Sequence, residues 1–281
     1  MSRIRVSLLT LLAMLAFAGN SLLCRAAFTA TRIDAASFTS LRVLSGALAL
    51  WLIVRARDGR QAPAGSWTSA FALFAYAAAF SFAYLSLSAA TGALLLFGAV
   101  QATMIGVSLW RGERLRGGQT LGLALALGGL IGLVLPGLSA PPLHGAALML
   151  AAGVAWGVYS LRGKGAGDPL RVTAGNFLRA VAFAAVLSAL MLPWAVLDAA
   201  GMACALASGA LTSGIGYAIW YTALPRLPAT SAATVQLSVP VLAALGGIAL
   251  LGEPATLRLL LAGVAILGGI ALVVAAPKTA R

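Results

Sequence analysis

The sequence predicts an all-α integral membrane protein whose ten transmembrane helices form two inverted five-helix repeats. Three observations predict this fold class: a very apolar composition, ten apolar runs, and a second half that matches the first. Of the 281 residues, 61% are hydrophobic and 9% are charged, whereas a typical soluble domain is about 25% charged. A soluble fold could not cover this much apolar surface, and a disordered chain needs far more polar residues to stay solvated.

The ten apolar runs are separated by Gly, Pro and Arg clusters. A helix needs about 20 residues to cross a bilayer, and continuous apolar runs favour helices over the alternating strands of a membrane β-barrel. The first run follows basic residues in the manner of a secretory signal, but nine further runs follow it, which predicts a retained helix. The predicted spans are 5–27, 36–54, 67–88, 92–110, 118–135, 143–162, 172–194, 201–224, 229–250 and 256–275.

The basic residues indicate orientation. A net charge of +13 is typical of nucleic-acid binding only when the charges form a patch; here they separate the apolar runs, so no nucleic-acid partner is expected. The positive-inside rule then predicts a multi-pass protein of the bacterial inner membrane with both termini in the cytoplasm. Three basic residues fall outside, namely Arg25, Arg32 and Arg258. Fourteen fall inside, namely Arg3, Arg5, Arg55, Arg57, Arg60, Arg111, Arg114, Arg116, Arg162, Lys164, Arg171, Arg226, Lys278 and Arg281.

The second half of the chain repeats the first. At an offset of 140 residues, Gly112-Glu113 matches Gly252-Glu253 and Leu127-Gly128-Gly129 matches Leu267-Gly268-Gly269. Because each half holds five helices, an odd number, the second half crosses the membrane in the opposite sense. The predicted halves are 1–138 and 139–281, which together form one membrane domain. Inverted repeats are typical of secondary transporters, whose substrate site lies near the midplane between the halves. The alternative is that Gly and Ala recur only because they permit close helix packing.

Several motifs resemble those of a known family. They are Leu224-Pro225-Arg226-Leu227-Pro228-Ala229, Val239-Pro240-Val241 and Gly252-Glu253-Pro254. Together with the ten helices, they are similar to the drug/metabolite transporter superfamily and to its EamA-type members. Within these, the chain most resembles the YddG-type exporters of aromatic and other neutral amino acids, which implies amino acid export by alternating access. Val100 stands where the second half has Pro240, so a helix break is expected in the ninth helix and not in the fourth.

Polar side chains at membrane depth are costly and are therefore candidates for a functional role. Gln101 lies near the centre of the fourth helix and can both donate and accept hydrogen bonds. Gln236 lies closer to the cytoplasmic side, and Asn20 lies in the first helix. The functional interpretation is contact with a substrate, and the structural interpretation is hydrogen bonding between helices.

Aromatic side chains divide by depth. Those at span ends are expected to be interfacial anchors: Trp51, Trp67, Trp110 and Trp194. Trp156 lies near the midplane instead, and its repeat partner is Phe17. The candidate lining of a cavity for aromatic or large apolar side chains comprises Phe17, Tyr76, Phe80, Trp156, Tyr159, Tyr217 and Trp220. Ordinary helix packing is the alternative for each of them.

Arg42 and Arg179 are paired by the repeat, each about seven residues inside its helix but from opposite membrane faces. An arginine can hold a substrate carboxylate in bidentate geometry. It can equally extend to the nearer interface or bind helix carbonyls. The symmetric placement favours the structural interpretation, and both remain open. Glu113 and Glu253 are expected to be structural residues at helix ends.

No cofactor is expected, because the sequence contains neither a nucleotide-binding loop nor metal-ligand spacing. All six acidic residues fall in predicted loops or at span ends, whereas proton relays in membranes use buried Asp, Glu or His. The small multidrug exporters of the same superfamily use a glutamate in the first helix, which is absent here. These observations favour facilitated export over carboxylate-coupled antiport.

Three other functions remain as alternatives to amino acid export. One is export of another metabolite or of a drug, although the missing membrane carboxylate argues against a cation. A second is an integral-membrane enzyme acting on lipid, which would need acid–base or metal-binding groups at one interface. The third is a non-transporting assembly protein that associates through the Gly-rich fifth and tenth helices. A homodimer is a further candidate partner state.

Overall fold

The computed structural model describes residues 2–59, 64–112, 115, 117–137, 140–227 and 229–275. Ten helices in this part of the chain are long and apolar enough to span a membrane, so the predicted fold class is confirmed. The first seven are α1 (Arg3–Ala30), α2 (Ala35–Asp58), α3 (Trp67–Tyr84), α4 (Ala89–Trp110), α5 (Gly117–Val134), α6 (Leu143–Gly163) and α7 (Pro169–Met191). The remainder are α8 (Ala199–Arg226), α9 (Ala229–Gln236 and Ser238–Leu251) and α10 (Leu257–Ala275).

Several predictions concern residues outside the described ranges. They are the interpretation of Glu113 as a helix end, the proposed boundary between residues 138 and 139, Pro228 of the family-like motif, and the orientation signals at Arg60, Arg114, Arg116, Lys278 and Arg281. The two ends of the bundle are named after the predicted orientation. The outer end is where α1 finishes and α2 begins, and the inner end is where α2 finishes and α3 begins.

Short polar side chains fix where the helices begin. Asp34, Ser66, Ser88, Asp168 and Asp198 each precede a helix and accept a hydrogen bond from a backbone N–H of its first turn. This satisfies donors that a helix cannot pair internally, which is why Ser and Asp are preferred there. The segments between helices are therefore short, and consecutive helices cross the bundle in opposite directions.

Two of the ten spans depart from regular α-helix. In α8, residues Ser208–Ile215 form a π-helical segment between α-helical ends. In α9, helical geometry is interrupted at Leu237, three residues before Pro240. Proline has no N–H to donate to the carbonyl four residues earlier, and that carbonyl belongs to Gln236. The break expected in the ninth helix is present, and α4 is continuous.

Helix packing follows a two-fold exchange between the halves. Helix α3 packs on α6, and its counterpart α8 packs on α1. Likewise α4 packs on α6 while α9 packs on α1, and three pairs are their own counterparts: α2 with α7, α4 with α9, and α5 with α10. Exchanging the halves converts each of these contacts into another observed contact. This is the pattern expected of two inverted five-helix repeats.

Small residues lie inside the bundle and large apolar ones outside. The buried core is rich in alanine, with larger side chains such as Phe38, Phe80 and Tyr84 filling the spaces. Exposed leucines and isoleucines cover the outer surface, as a hydrocarbon environment allows. The four tryptophans expected at span ends are exposed, with Trp110 at 90% and Trp194 at 68%. This distribution agrees with anchoring at the membrane interface.

Helices α5 and α10 approach closely because glycines face each other. A β-carbon at Gly122 would lie 2.5 Å from the carbonyl oxygen of Gly269, and one at Gly129 would lie 2.9 Å from the Ala265 β-carbon. Gly128 and Gly268 have open space beside them. Gly122, Gly129 and Gly269 therefore allow α5 and α10 to pack closely within the chain. Gly128 and Gly268, which have open space beside them, lie on a different face.

Replacement of Gly122 by alanine is expected to destabilise the bundle. The added methyl group would overlap the α10 backbone, and overpacking of this kind costs about 1–3 kcal/mol. The measurement is the thermal unfolding midpoint of the purified protein in detergent. Gly128→Ala is the matched control, since it adds the same methyl group to the same helix in open space. Equal midpoints for the two variants would contradict the described packing.

Candidate functional site

Trp156 lies at the centre of an aromatic cluster between the two halves. Its ring centroid is 4.7 Å from that of Tyr76, 5.2 Å from that of Tyr159 and 5.6 Å from that of Tyr217. The rings of Tyr159 and Tyr217 are stacked on the indole. Such ring pairs contribute about 0.5–1.5 kcal/mol each beyond the area they bury. The indole therefore joins α3, α6 and α8.

The cluster extends through Phe17 on one side and Phe80 on the other. Phe17 lies 5.5 Å from Tyr217 and 6.2 Å from Trp220, and Phe80 lies 5.5 Å from Tyr76, measured between ring centroids. Phe17 on α1 meets Tyr217 on α8, as Trp156 on α6 meets Tyr76 on α3. The contacts thus obey the same exchange as the helices. The structure brings together all seven aromatic candidates, which are Phe17, Tyr76, Phe80, Trp156, Tyr159, Tyr217 and Trp220.

A polar network adjoins the cluster at Asn20. The Asn20 amide nitrogen donates to the Tyr76 hydroxyl at 3.4 Å, and its oxygen accepts from Ser208 at 2.6 Å and Thr212 at 3.4 Å. Ser208 and Thr212 belong to the π-helical segment of α8. Insertions of this type are frequent at functional sites, because the wider turn re-aims side chains. The network links α1, α3 and α8 beside the aromatic rings.

Arg42 completes this network from α2. Its side chain is 3% exposed, its Nη2 donates to the Tyr76 hydroxyl at 3.1 Å, and its guanidinium carbon lies 4.7 Å from the Phe80 ring centroid. The other terminal nitrogen, Nη1, has no hydrogen-bond partner among the described residues. Removing an ion from water costs several kcal/mol. Cation–π contact and one hydrogen bond offset part of that cost.

Arg179, the repeat partner of Arg42, has a different environment. Its Nη1 donates to the carbonyl oxygens of Ala64 and Gly175, both at 2.9 Å. Ala64 lies in the segment before α3, so Arg179 joins that segment to α7. These contacts correspond to the structural interpretation of Arg179.

A second polar network lies toward the inner end. Asn176 donates to the Tyr159 hydroxyl at 3.4 Å, and Tyr159 donates to Thr173 at 3.4 Å. Thr173 in turn donates to the Tyr221 hydroxyl at 3.2 Å. The network connects α6, α7 and α8 and places hydroxyl groups on the inner side of the stacked rings.

The structure does not join the two glutamine candidates to these networks. Gln101 and Gln236 are half-buried, and neither side chain forms a hydrogen bond with a described residue. Gln101 lies one turn beyond Phe97, which packs against Trp220 and its neighbours. A role for either glutamine in binding stays a prediction.

Glu253 connects four helices at the outer end. Its carboxylate accepts from the Ala89 N–H at 2.8 Å and 3.1 Å, one distance for each oxygen, and pairs with Arg25 Nε at 3.1 Å. Arg25 also donates to the Tyr84 carbonyl at 3.1 Å. Because Ala89 is the first residue of α4, the carboxylate lies at the positive end of that helix. These four residues, Arg25, Tyr84, Ala89 and Glu253, are called the outer latch below.

The inner half of α4 is less covered than its outer half. Ten of the twelve residues from Ala89 to Val100 are buried, whereas none of residues 101–110 is buried. The outer latch therefore coincides with the packed end of α4, and the inner end is the more open one.

Two carboxylates join the outer loops. Asp34 accepts from the Val196 N–H at 2.9 Å, and Asp198 accepts from the Arg32 N–H at 2.9 Å. Hydrogen bonds from the Gly201 and Arg32 N–H groups hold the pKa of Asp198 below its usual value. For Asp34, burial raises the pKa, but donors from Ser37, Val196 and Ala36 lower it further than burial raises it. Both carboxylates therefore stabilise the loops above about pH 4 and lose this contribution as pH falls through their lowered pKa values.

A cavity of 290 Å³ opens near the outer end. It is lined by small hydroxyl residues and prolines of three loops, with Ser86, Ser88 and Thr91 among them. Its lining contains none of the sequence-predicted site residues. The described residues also contain no cluster of three or more metal-ligating side chains, and Cys24 and Cys204 are free thiols.

Sequence reasoning missed Ser208 and Thr212. Both are small polar residues in an apolar span, a signal present in the sequence, but only the packing of α8 on α1 shows that they face Asn20. The sequence also provides no reason to assign different roles to Arg42 and Arg179. The two differ because the backbone before α3 supplies carbonyl groups to Arg179.

The fold, with its ten candidate membrane spans, is that of a multi-pass membrane protein. The profile of the EamA-like transporter family matches residues 143–275. PA1977 of Pseudomonas aeruginosa, a protein described as uncharacterized, is 63% identical over 256 residues, which cover 91% of this chain and 89% of that protein. The second half of the chain is therefore similar to the EamA-like transporter family. This match supports the resemblance to the drug/metabolite transporter superfamily and points to a transporter.

More distant relatives include exporters of known cargo. The threonine/homoserine exporter RhtA of Salmonella typhimurium is 34% identical over 121 residues, which cover 41% of this chain and 39% of that exporter. RhtA of Escherichia coli is 34% identical over 117 residues, with the same coverage. A solved crystal structure matches with a TM-score of 0.67 at 21% identity, covering 97% of this chain and 98% of that one. This last likeness shows the fold alone.

Replacement of Glu253 by glutamine is expected to loosen the outer latch. Glutamine can still accept from Ala89 but lacks the charge that pairs with Arg25, and charge-assisted hydrogen bonds contribute about 1.5–3 kcal/mol. The reporter is Cys24, which precedes Arg25 and is fully buried. In a Cys204→Ser background, labelling of Cys24 by a membrane-impermeant maleimide should accelerate about tenfold or more.

Asp34→Asn is the control for this experiment, because it removes a carboxylate at the same end whose partners do not include α4 or α9. Labelling of Cys24 should stay at the wild-type rate in that variant. An unchanged rate in Glu253→Gln would show that the outer latch does not hold the outer end closed.

Proposed function

We infer that the protein exports neutral amino acids with aromatic or hydrophobic side chains across the bacterial inner membrane. The observation that carries this proposal is the contact of the aromatic cluster with the Asn20 network between the two halves. The rings offer stacking and apolar contact to a side chain, while the amide and hydroxyl groups suit the polar backbone atoms of an amino acid. The proposal keeps the predicted orientation, with both termini in the cytoplasm.

Alternating access follows from the exchange symmetry. The outer latch holds the outer ends of α1, α3, α4 and α9 together, while the inner half of α4 is uncovered. This arrangement supports a proposed state in which the outer end is closed and substrate enters from the cytoplasm. Inverted repeats permit the two halves to exchange conformations, which would close the inner end and open the outer one.

The proposed export is facilitated rather than coupled to protons through a carboxylate. By sequence, all six acidic residues lie at helix ends or in loops, and Glu253 is occupied by Arg25 and Ala89. A proton relay would use a titratable group at membrane depth. The substrate gradient then sets the direction of flux.

A second candidate is export of small polar amino acids such as threonine or homoserine. The observation that favours it is the 34% identity to the RhtA exporters, which extends over 39% of those proteins. A site formed by seven aromatic rings suits larger side chains better, so this candidate ranks second. Export of another metabolite or drug remains the alternative outside amino acids. A homodimer would use a surface other than the packed faces of Gly122 and Gly269.

The test is uptake of a radiolabelled amino acid panel into proteoliposomes. Wild-type protein is expected to move phenylalanine or methionine saturably, with threonine and homoserine slower. Trp156→Ala is expected to reduce this flux about tenfold or more, because it removes the ring that contacts Tyr76, Tyr159 and Tyr217, and each such contact contributes about 0.5–1.5 kcal/mol.

Trp194→Ala is the matched control, since it removes the same side chain from an exposed position at a helix end. Normal flux in this variant would show that the loss in Trp156→Ala comes from the site and not from removal of any tryptophan. Faster threonine than phenylalanine flux would favour the second candidate. Flux of some other metabolite alone would overturn amino acid export, and strong dependence on an imposed pH gradient would overturn the facilitated mechanism.

A further inference from the structure

We propose that Arg42 binds the carboxylate of the transported substrate, with Tyr76 and Asn20 as additional hydrogen-bond donors. The proposal rests on the proposed function, since it takes the aromatic cluster to be the substrate site. It adds the chemical class of the substrate, a monocarboxylate with an apolar side chain, and the orientation in which it binds.

The first observation is an incomplete set of contacts around a buried charge. Arg42 is 3% exposed and has one hydrogen bond, from Nη2 to the Tyr76 hydroxyl. Nη1 is buried and has no partner in the described part of the chain. A guanidinium carries five N–H donors in a planar fork that matches the two oxygens of a carboxylate.

The second observation is the lack of an acidic partner for Arg42. The ion pairs formed by the described residues lie at the ends of the bundle, between Arg25 and Glu253 and among Arg57, Asp58, Asp168 and Arg171. Arg42 lies about 10 Å down α2 from Ala35, within a hydrocarbon layer about 30 Å thick. A bound anion would neutralise it there.

The third observation is a surplus of donors around Arg42. The Tyr76 oxygen accepts from both Arg42 and Asn20, so the one hydrogen bond left to it is through its own O–H. Asn20 uses its oxygen as an acceptor for Ser208 and Thr212 and one N–H as a donor, which leaves its second N–H. Three linked residues thus each retain a donor, and an acceptor-rich ligand such as a carboxylate would satisfy them.

The chemistry favours a carboxylate with an apolar extension. Tyr76 belongs both to this donor group and to the aromatic cluster, because its ring is 4.7 Å from Trp156. A carboxylate held by Arg42 would direct the side chain of the same molecule onto Trp156. Because Arg42 is almost fully buried, the carboxylate reaches it only after the rings part, so substrate binding is coupled to movement of the cluster.

Arg179 supplies the internal comparison. It is the repeat partner of Arg42, but its Nη1 is satisfied by the Ala64 and Gly175 carbonyls. The arginine of the second half therefore binds backbone carbonyl groups, whereas the arginine of the first half has a nitrogen without a hydrogen-bond partner among the described residues. The repeat does not require a second carboxylate site.

The experiment compares ligands with and without a carboxylate. Uptake of radiolabelled L-phenylalanine is competed with L-phenylalaninamide, which lacks the carboxylate, and with 3-phenylpropanoate, which lacks the amino group. In the wild type, the acid is expected to compete and the amide to be about 10- to 100-fold weaker than phenylalanine, the range for losing charge-assisted hydrogen bonds. In Arg42→Gln, the ratio between phenylalanine and the amide should fall toward one.

Two further variants exclude a merely structural effect. Arg42→Lys keeps the charge without the planar fork, so it should retain a reduced preference for the carboxylate. Arg179→Gln should lower the thermal unfolding midpoint while keeping the wild-type ratio. A folded Arg42→Gln with the wild-type ratio, or a wild type in which the amide competes equally, would overturn the proposal.

Failure of the proposed function gives a different result. If no amino acid is transported, thermal stabilisation of the detergent-purified wild type by 3-phenylpropanoate and by its amide is compared. Stabilisation by the acid alone, lost in Arg42→Gln, would retain the carboxylate site and discard amino acid export. Stabilisation by neither compound or by both equally would overturn the assignment of Arg42.

Discussion

The Arg42 guanidinium lies at membrane depth, where no described acidic side chain pairs with it, and several helices contribute side chains around that charge. The Phe80 ring lies against it, and the Tyr76 hydroxyl accepts from it while also accepting from Asn20. Asn20 in turn requires the hydroxyl groups that the π-helical segment of α8 supplies. A single costly charge is thereby linked, through Tyr76 and Asn20, to polar residues on α1, α3 and α8.

The inverted repeat explains why this site lies between the halves and why it is asymmetric. Exchange of the halves pairs Phe17 and Tyr217 with Trp156 and Tyr76, so aromatic rings reach the centre from both sides. The polar groups do not follow the exchange. Arg42 Nη1 has no hydrogen-bond partner among the described residues, whereas Arg179 Nη1 donates to backbone carbonyl groups. In the proposed function, the symmetry supports alternating exposure, and the departures from symmetry give the site its proposed selectivity.

The sequence predicted the features that depend only on the order and spacing of residues along the chain. Ten spans, the tryptophans at their ends and the central position of Trp156 follow from the lengths of apolar runs and the spacing of rings within them. Features that depend on which helices touch were not predictable in this way. The approach of Ser208 to Asn20 needs the packing of α8 on α1, and the different contacts of Arg42 and Arg179 depend on the backbone at Ala64. Gln101 is the most prominent polar candidate by its position in the sequence, yet its side chain joins neither described network.

The most direct measurement is an experimental structure of the protein with L-phenylalanine bound. The account predicts the ligand between Trp156 and Arg42, with a carboxylate oxygen within hydrogen-bond distance of Arg42 Nη1 and the phenyl ring against the Trp156 indole. It also predicts that the rings of Trp156 and Tyr76 separate from their present centroid distance of 4.7 Å. A ligand bound in the outer cavity near Ser86, or beside Gln101 with Arg42 unchanged, would contradict the account.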